Sequence, residues 1–205
     1  MRVLVACEES QAVCKAFRAK GHEAYSCDLQ ECSGGYSEWH IKGDALKEAY
    51  SGKYDMMIAF PPCTYLSNAG ARYLYPQGVL NNERYQKGLQ GKSFFMALLN
   101  APIKHIAIEN PTPSRIYKLP KASQVIQPYM FGHGYSKRTL LWLKKLPCLK
   151  PTKFVSDYTP FVKSSKHRGD YQPPVYNAKS WSKTFQGIAE AMADQWSKPQ
   201  YVEQL

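Results

Sequence analysis

The sequence has no Cys-x-x-Cys pair, no Gly-x-Gly-x-x-Gly, no repeat and no low-complexity tract. No apolar run approaches the roughly 18 residues that cross a bilayer. Acidic residues are few, 16 against 27 lysines and arginines. Each lack excludes something. Without ligands at zinc-binding spacing, Cys27 and Cys32 with His22 and His40 make a poor metal site, and no metal is expected. Six cysteines in 205 residues with no export signal read as reduced thiols, not as a disulfide scaffold. The apolar start at Arg2–Ala6 is too short for a signal peptide and reads as a strand. These features predict a cytoplasmic protein with no membrane partner, a single domain over residues 1–205. The net charge of +11 points to a polyanion, nucleic acid first.

The chain is organised around Tyr54–Ser67. An apolar run, Asp55–Phe60, reads as a buried strand that Pro61-Pro62 must end, since neither proline has an N–H to donate. Cys63 is thereby presented at the carboxyl end of a strand, where open α/β sheets place their sites. Before it, Arg2–Ala6 predicts a strand, 11–20 a helix with Gly21 as its left-handed stop, and 22–27 a second strand. Such a β–α–β unit implies parallel pairing. Asp28 closes the second strand, in position to accept hydrogen bonds from ribose hydroxyls. The first loop, Ala6-Cys7-Glu8-Glu9-Ser10, has two carboxylates where a phosphate cradle would have glycines. It disfavours a pyrophosphate and suits a nucleoside carrying a cationic group. Asp44 precedes a helix from Ala45 to Tyr50, as its cap or as a contact to a base.

Residues 64–82 read as a long mobile loop beside the cysteine, followed by a helix over Asn82–Leu99 with a looser middle at Gly88 and Gly91. Ile103–Ile108 predicts a strand ending in Glu109-Asn110-Pro111. Val125–Met130 and Thr139–Leu143 predict two more strands, with Lys137-Arg138 before the second. Residues 144–182 are basic and aromatic, and Phe185–Trp196 closes the described pattern as an amphipathic helix. A thiol and a carboxyl group at neighbouring strand ends could attack and polarise an electron-poor ring, provided the thiol has a cationic neighbour. Packing for Cys63 and helix capping for Glu109 are the plain alternatives.

Phe60-Pro61-Pro62-Cys63 and Glu109-Asn110-Pro111, in this order and setting, resemble the two core motifs of DNA (cytosine-5) methyltransferases. Thr184–Ala193 resembles that family's closing helix, and the short chain resembles its phage and prophage members. The resemblance implies a Rossmann-like, S-adenosylmethionine-dependent α/β fold with helices on both faces of the sheet. It implies Cys63 as nucleophile toward cytosine C6, Glu109 on the N3/N4 edge, and Lys137 as a further catalytic contact. The cofactor, S-adenosylmethionine, would be held by Ala6, Cys7, Glu8, Ser10, Asp28, Leu29, Asp44, Phe60 and Pro61. The partner implied is DNA, double-stranded with the cytosine flipped out.

This sequence departs from the family pattern at three places. It lacks Phe-x-Gly-x-Gly in the first loop, has Pro111 for the usual valine, and sets Tyr135, Lys137 and Thr139 where a glutamine and two arginines alternate. On that motif, alternation would turn Lys137 toward the site and Arg138 away. About 35 residues, 146–180, stand where a target-recognition domain is usual. Ser67, Arg72, Lys137, Lys163, Lys166 and Arg168 are the expected nucleic-acid contacts. So small a region predicts relaxed sequence preference or help from a second copy of the chain. RNA, nucleotides or modified cytosine as substrate, and a weakly catalytic cofactor- or DNA-binding protein, are the alternatives.

Overall fold

Strand β1 (Arg2–Ala6) lies near the middle of the sheet, and its position decides where a ligand can sit. The computed structural model describes residues 1–161 and 183–197. Lys163, Lys166, Arg168 and most of the basic stretch after residue 161 lie outside the described residues. Strand β1 pairs in parallel with β2 (Glu23–Asp28) on one side and with β4 (Met56–Ala59) on the other. Beyond β2 lies β3 (His40–Lys42), and beyond β4 lies β5 (His105–Asn110), both parallel. Strand β8 (Thr139–Lys144) adds antiparallel to β5, and β6 (Gln124–Ile126) closes the edge. Among the described residues seven strands form this sheet, in the order β3-β2-β1-β4-β5-β8-β6. A short parallel pair, β7 (Tyr135–Ser136) with β9 (Thr159–Pro160), stands apart from it.

The central strands are continuous apolar runs because both faces are covered. Val3, Val5, Met56 and Ile58 pack with α1 (Ala12–Ala19) and α5 (Gln186–Trp196) on one face. Leu4, Ala6, Met57 and Ala59 pack with α2 (Ala45–Ala49) and α4 (Asn82–Leu99) on the other. The chain leaves β1 toward β2 and returns to β4 on the opposite side. The crevice between the ends of β1 and β4 is therefore the switch point at which doubly wound sheets bind ligands. The Rossmann-like α/β sheet inferred from the sequence is the fold observed.

Several boundaries differ from expectation, each for a tertiary reason. Strand β5 runs two residues further than Ile108, because Glu109 and Asn110 pair with Leu141 and Leu140 of β8 before Pro111 stops the ladder. The strand expected over Val125–Met130 ends at Ile126, where Pro128 opens a turn of 3₁₀ helix. Residues 64–82 are built rather than loose. They form short helical turns, including α3 (Ala71–Leu74), anchored by the buried side chains of Leu66 and Leu74. Backbone bonds from Asn68 N–H to the Thr112 carbonyl and from Ser114 N–H to the Leu66 carbonyl tie this segment to the chain after β5.

The glycines of α4 are packing devices, not loose points. A Cβ on Gly88 would collide with the Tyr117 ring, and one on Gly91 would press on Leu66. Gly187 is tighter still, since a Cβ there would collide with the Phe131 carbonyl oxygen, a backbone atom that cannot rotate away. Gly187→Ala is expected to lower stability by about 3 kcal/mol, the upper range for overpacking, and to lower the thermal midpoint by roughly 6–12 °C. Differential scanning calorimetry reads this directly.

Candidate active site

Register places the site. Ala6 faces Ala59, and Ala59 faces Ile108, so the next residues, Cys7, Phe60 and Glu109, leave the sheet along one line at its carboxyl edge. Because β8 runs antiparallel to β5, its beginning arrives at that same edge, bringing Thr139 and the approaching Lys137 alongside Glu109. Cys63 lies beyond Pro61-Pro62 in a turn whose form is set by two bonds. The N–H groups of Leu66 and Ser67 donate to the Cys63 carbonyl at 3.1 and 2.8 Å.

The loop after β4 and the end of β5 are joined by a residue that sequence reasoning passed over. Asn110 is buried, and its Nδ2 donates to the Pro61 carbonyl at 2.9 Å. Proline loops offer carbonyls but no donors, so a side-chain amide from the neighbouring strand is what holds this one in register. The signal available was the Glu109-Asn110 pair itself: strand alternation sends one side chain to each face of the sheet. Thr139, to which the sequence assigned no role, donates its hydroxyl to the Lys137 carbonyl at 3.1 Å and favours the charged form of the Glu109 carboxyl.

The electrostatics couple three of the expected residues. Loss of hydration pushes the Glu109 carboxyl above its ordinary range, with Lys137 and the Thr139 hydroxyl pulling the other way. Burial pushes the Cys63 thiol up, the negative charge of Glu109 adds to this, and Lys137 opposes it. Lys137 thus acts on both groups, while Arg138 is exposed, as alternation implies. The Lys137 ammonium also lies over the Phe161 ring, 5.8 Å from its centre. Ser67, expected to face a nucleic acid, is buried and bridged to Pro113 in the supporting layer of the loop. Arg72 lies further along, over the Tyr73 ring at 4.5 Å.

On the cofactor side of the crevice the first loop behaves differently from a phosphate cradle. Glu8 is buried, and its carboxylate accepts from the N–H of Val13 at 2.7 Å and of Cys14 at 3.2 Å. The carboxylate therefore occupies the amino terminus of α1, where an anionic ligand would otherwise bind. A pyrophosphate is excluded by occupancy more than by repulsion, and the Glu8 side chain caps a helix. Its neighbour Glu9 is also buried, and the Glu9 Oε2 atom has no hydrogen-bond partner. Asp28 spends Oδ1 on the Gln30 N–H at 2.9 Å, and Asp44 spends Oδ1 on the Leu46 N–H at 2.9 Å as the cap of α2. Each has a second oxygen for a ligand. An unpartnered buried carboxylate oxygen and two strand-end aspartates fit a nucleoside that carries a positive charge. Ala6 is buried, Cys7 adopts a left-handed backbone with its thiol pushed up to about 12 by burial, and Leu29 is largely exposed beside Asp28. Ser10 and Phe60 are half-buried at the same edge, and the Pro61 carbonyl is committed to Asn110.

Glu8 carries a consequence for stability. Burial pushes its carboxyl from the ordinary 4.5 to about 7, against the two N–H groups that favour the charged form. A raised folded-state value means that the associated stability is fully present below about pH 4.5 and is lost as the pH rises through about 7. At about 1.4 kcal/mol per pH unit the loss amounts to a few kcal/mol. The thermal midpoint should therefore drop by several degrees between about pH 5 and pH 8. Glu8→Gln keeps the Val13 bond, has no charge to bury, and should show less than half of that drop.

All six cysteines are free thiols. Among the described residues no group of three or more metal-type ligands occurs, and no helix is long and apolar enough to cross a membrane. No protein-family model matches the chain, and no curated protein matches it in sequence. Solved structures do resemble it. One is a candidate DNA modification methyltransferase encoded within a prophage (E. coli), with 11% identity over 76% of this chain and 52% of that chain, and a TM-score of 0.46. Another is the Entamoeba histolytica methyltransferase EhMeth, with 16% identity over 76% of this chain and 57% of that chain, and a TM-score of 0.48. The chain spans just over half the length of either structure.

Proposed function

We propose that this protein methylates C5 of cytosine in DNA, with Cys63 as nucleophile, Glu109 as acid and S-adenosylmethionine as methyl donor. The observation that carries the reading is the Asn110–Pro61 hydrogen bond, which locks the Cys63 loop to the strand that bears Glu109. A thiol and a carboxyl group linked in this way can act on two atoms of one ring.

The Cys63 sulfur adds to C6 while Glu109 delivers a proton to N3, so the ring's electrons shift toward C5. Bound cofactor supplies an electrophilic methyl group, and Asp28, Asp44 and the buried Glu9 carboxylate are the groups that would hold it. Water takes the C5 proton, the S–C6 bond breaks to return Cys63 as the thiolate that attacked, and N3 returns its proton to Glu109. The net change replaces the C5 hydrogen by the methyl group and passes one proton to solvent.

The raised carboxyl of Glu109 is an aid here, because a group that holds its proton nearer neutrality can donate it. The raised thiol of Cys63 is a cost in the resting protein. Protonated Glu109 removes the negative charge that contributes to that rise, leaving Lys137 to favour the thiolate. The base that calls for the proton on Glu109 thereby eases ionisation of Cys63. Incubation with S-adenosylmethionine labelled in its methyl group and cytosine-containing DNA, followed by digestion to nucleosides, tests the reading. Label in 5-methyldeoxycytidine is expected. Cofactor binding with no label in any cytosine would contradict it.

A further inference from the structure

Beside the Cys63 turn lie two adjoining clefts that the reaction does not use. One, of about 370 Å³, is lined by Tyr65, Arg72, Tyr73, Arg84 and Lys87 among others. The next, of about 400 Å³, shares Tyr65 and Lys87 with it and continues along Pro62, Gly91 and Phe94. Pro62 and Tyr65 bracket Cys63 in the chain, so the two clefts make one groove leading away from the nucleophile.

The groove has an unusual lining. Every cation in it faces a ring. The Arg72 guanidinium lies 4.5 Å from the centre of the Tyr73 ring, that of Arg84 lies 5.0 Å from Tyr65 and 5.4 Å from Tyr73, and the Lys87 ammonium lies 5.8 Å from Tyr65. Glu83, paired with Lys87 at 2.6 Å, is the acid on the lining, against three cations. The rings are not core. Tyr65 is 37% exposed, Tyr73 51% and the neighbouring Tyr75 42%. Clustered exposed aromatics contribute little to folding and mark a contact surface.

We infer that this groove takes unpaired nucleotides flanking the target base, so that the strand being methylated is single-stranded there. The inference rests on the proposed action on cytosine and names its substrate class. The physical reason is the ring faces. A paired duplex offers base edges and phosphates to a protein, while its base faces are stacked on one another. Tyrosine faces alternating with cations match an unpaired strand, whose bases can stack while its phosphates are neutralised. Stacking is tolerant of sequence, so the groove would hold a strand without reading it.

The groove is also coupled to the nucleophile. The Arg84 Nη2 donates to the carbonyl of Thr64, the residue after Cys63, at 2.8 Å. A Cβ on Gly70 would press on the same guanidinium, so the loop is shaped around Arg84. A strand that engages Arg84 therefore acts on the backbone next to Cys63.

The test uses labelled oligothymidylate and oligouridylate of about 12 nucleotides, within the span of such grooves, and a DNA duplex of equal length. None of the single strands contains cytosine, so binding is read by fluorescence anisotropy without reaction. Both single strands are expected to bind roughly ten-fold or more tightly than duplex at equal salt. Tyr73→Ala should weaken single-strand binding roughly ten-fold, and Tyr73→Trp should restore it. Arg72→Gln should reduce the salt slope by about 0.7, the value of one single-strand phosphate contact. Duplex binding as tight as single-strand binding, or no effect of Tyr73→Ala, would overturn the inference. Single-strand binding with no methylation of any cytosine would instead overturn the reaction and leave the groove standing.

Discussion

Cys63→Ala is expected to reduce methyl transfer to cytosine by roughly 10⁴-fold or more, the scale on which removal of a covalent nucleophile acts. The fold should be unaffected, because Cys63 is half-exposed and its turn is held through its own carbonyl and through Asn110, not through its sulfur. Cofactor affinity should also be unchanged, since Asp28, Asp44 and Glu9 lie at other strand ends. The measurement is a single-turnover methyl-transfer rate beside a calorimetric titration of cofactor. A loss of cofactor binding in the variant would assign Cys63 to the cofactor crevice instead. Retained transfer would remove it from the chemistry altogether.

Glu109→Gln should produce the second large effect, a fall in turnover of roughly 10²- to 10⁴-fold, because an amide can hydrogen-bond the base edge but cannot give N3 a proton. Two further readouts separate this role from a structural one. The proposed reaction needs a protonated Glu109 and an ionised Cys63 together, which predicts a bell-shaped dependence of rate on pH. In the variant only the thiol must ionise, so the alkaline fall should vanish and the rate should rise to a plateau. The Cys63 thiol should also become easier to ionise. Glu109 contributes to its raised position after burial, and Lys137 remains to favour the thiolate. The midpoint of Cys63 alkylation by iodoacetamide should therefore move to lower pH in the variant. An unchanged midpoint would mean that the carboxyl and the thiol do not sense each other.

The frame of the molecule is legible from local pattern. The runs Val3–Ala6 and Met56–Ala59 are buried on both faces and so appear as unbroken apolar strings. Gly21, at φ +80°, marks the end of α1 because that backbone favours glycine. Pro61-Pro62 and Pro111 announce strand ends through the donors they lack. What local pattern does not carry is partnership across distance. Asn110 looks like a strand-end polar residue until Pro61, 49 positions earlier, is placed beside it. Glu8 and Glu9 look alike in sequence, yet one caps α1 and the other keeps a buried oxygen without a partner. Gly88 reads as a weak point in a helix, but the contact that requires it comes from Tyr117. The groove was hidden for a related reason. Arg84 and Lys87 sit one turn apart on α4, and only the fold lays the tyrosines of residues 64–82 beneath them.

The proposed reaction turns on a covalent bond between Cys63 and cytosine C6. The most direct measurement is intact-protein mass spectrometry after incubation with S-adenosylmethionine and an oligodeoxynucleotide whose cytosines carry fluorine at C5. Fluorine cannot leave as a proton does, so the S–C6 bond persists once formed. The expected result is a mass increase of one oligonucleotide plus one methyl group, mapped by peptide digestion to Cys63 and missing in Cys63→Ala. An adduct mapped to another cysteine, or methyl transfer to ordinary cytosine with no adduct at all, would contradict it.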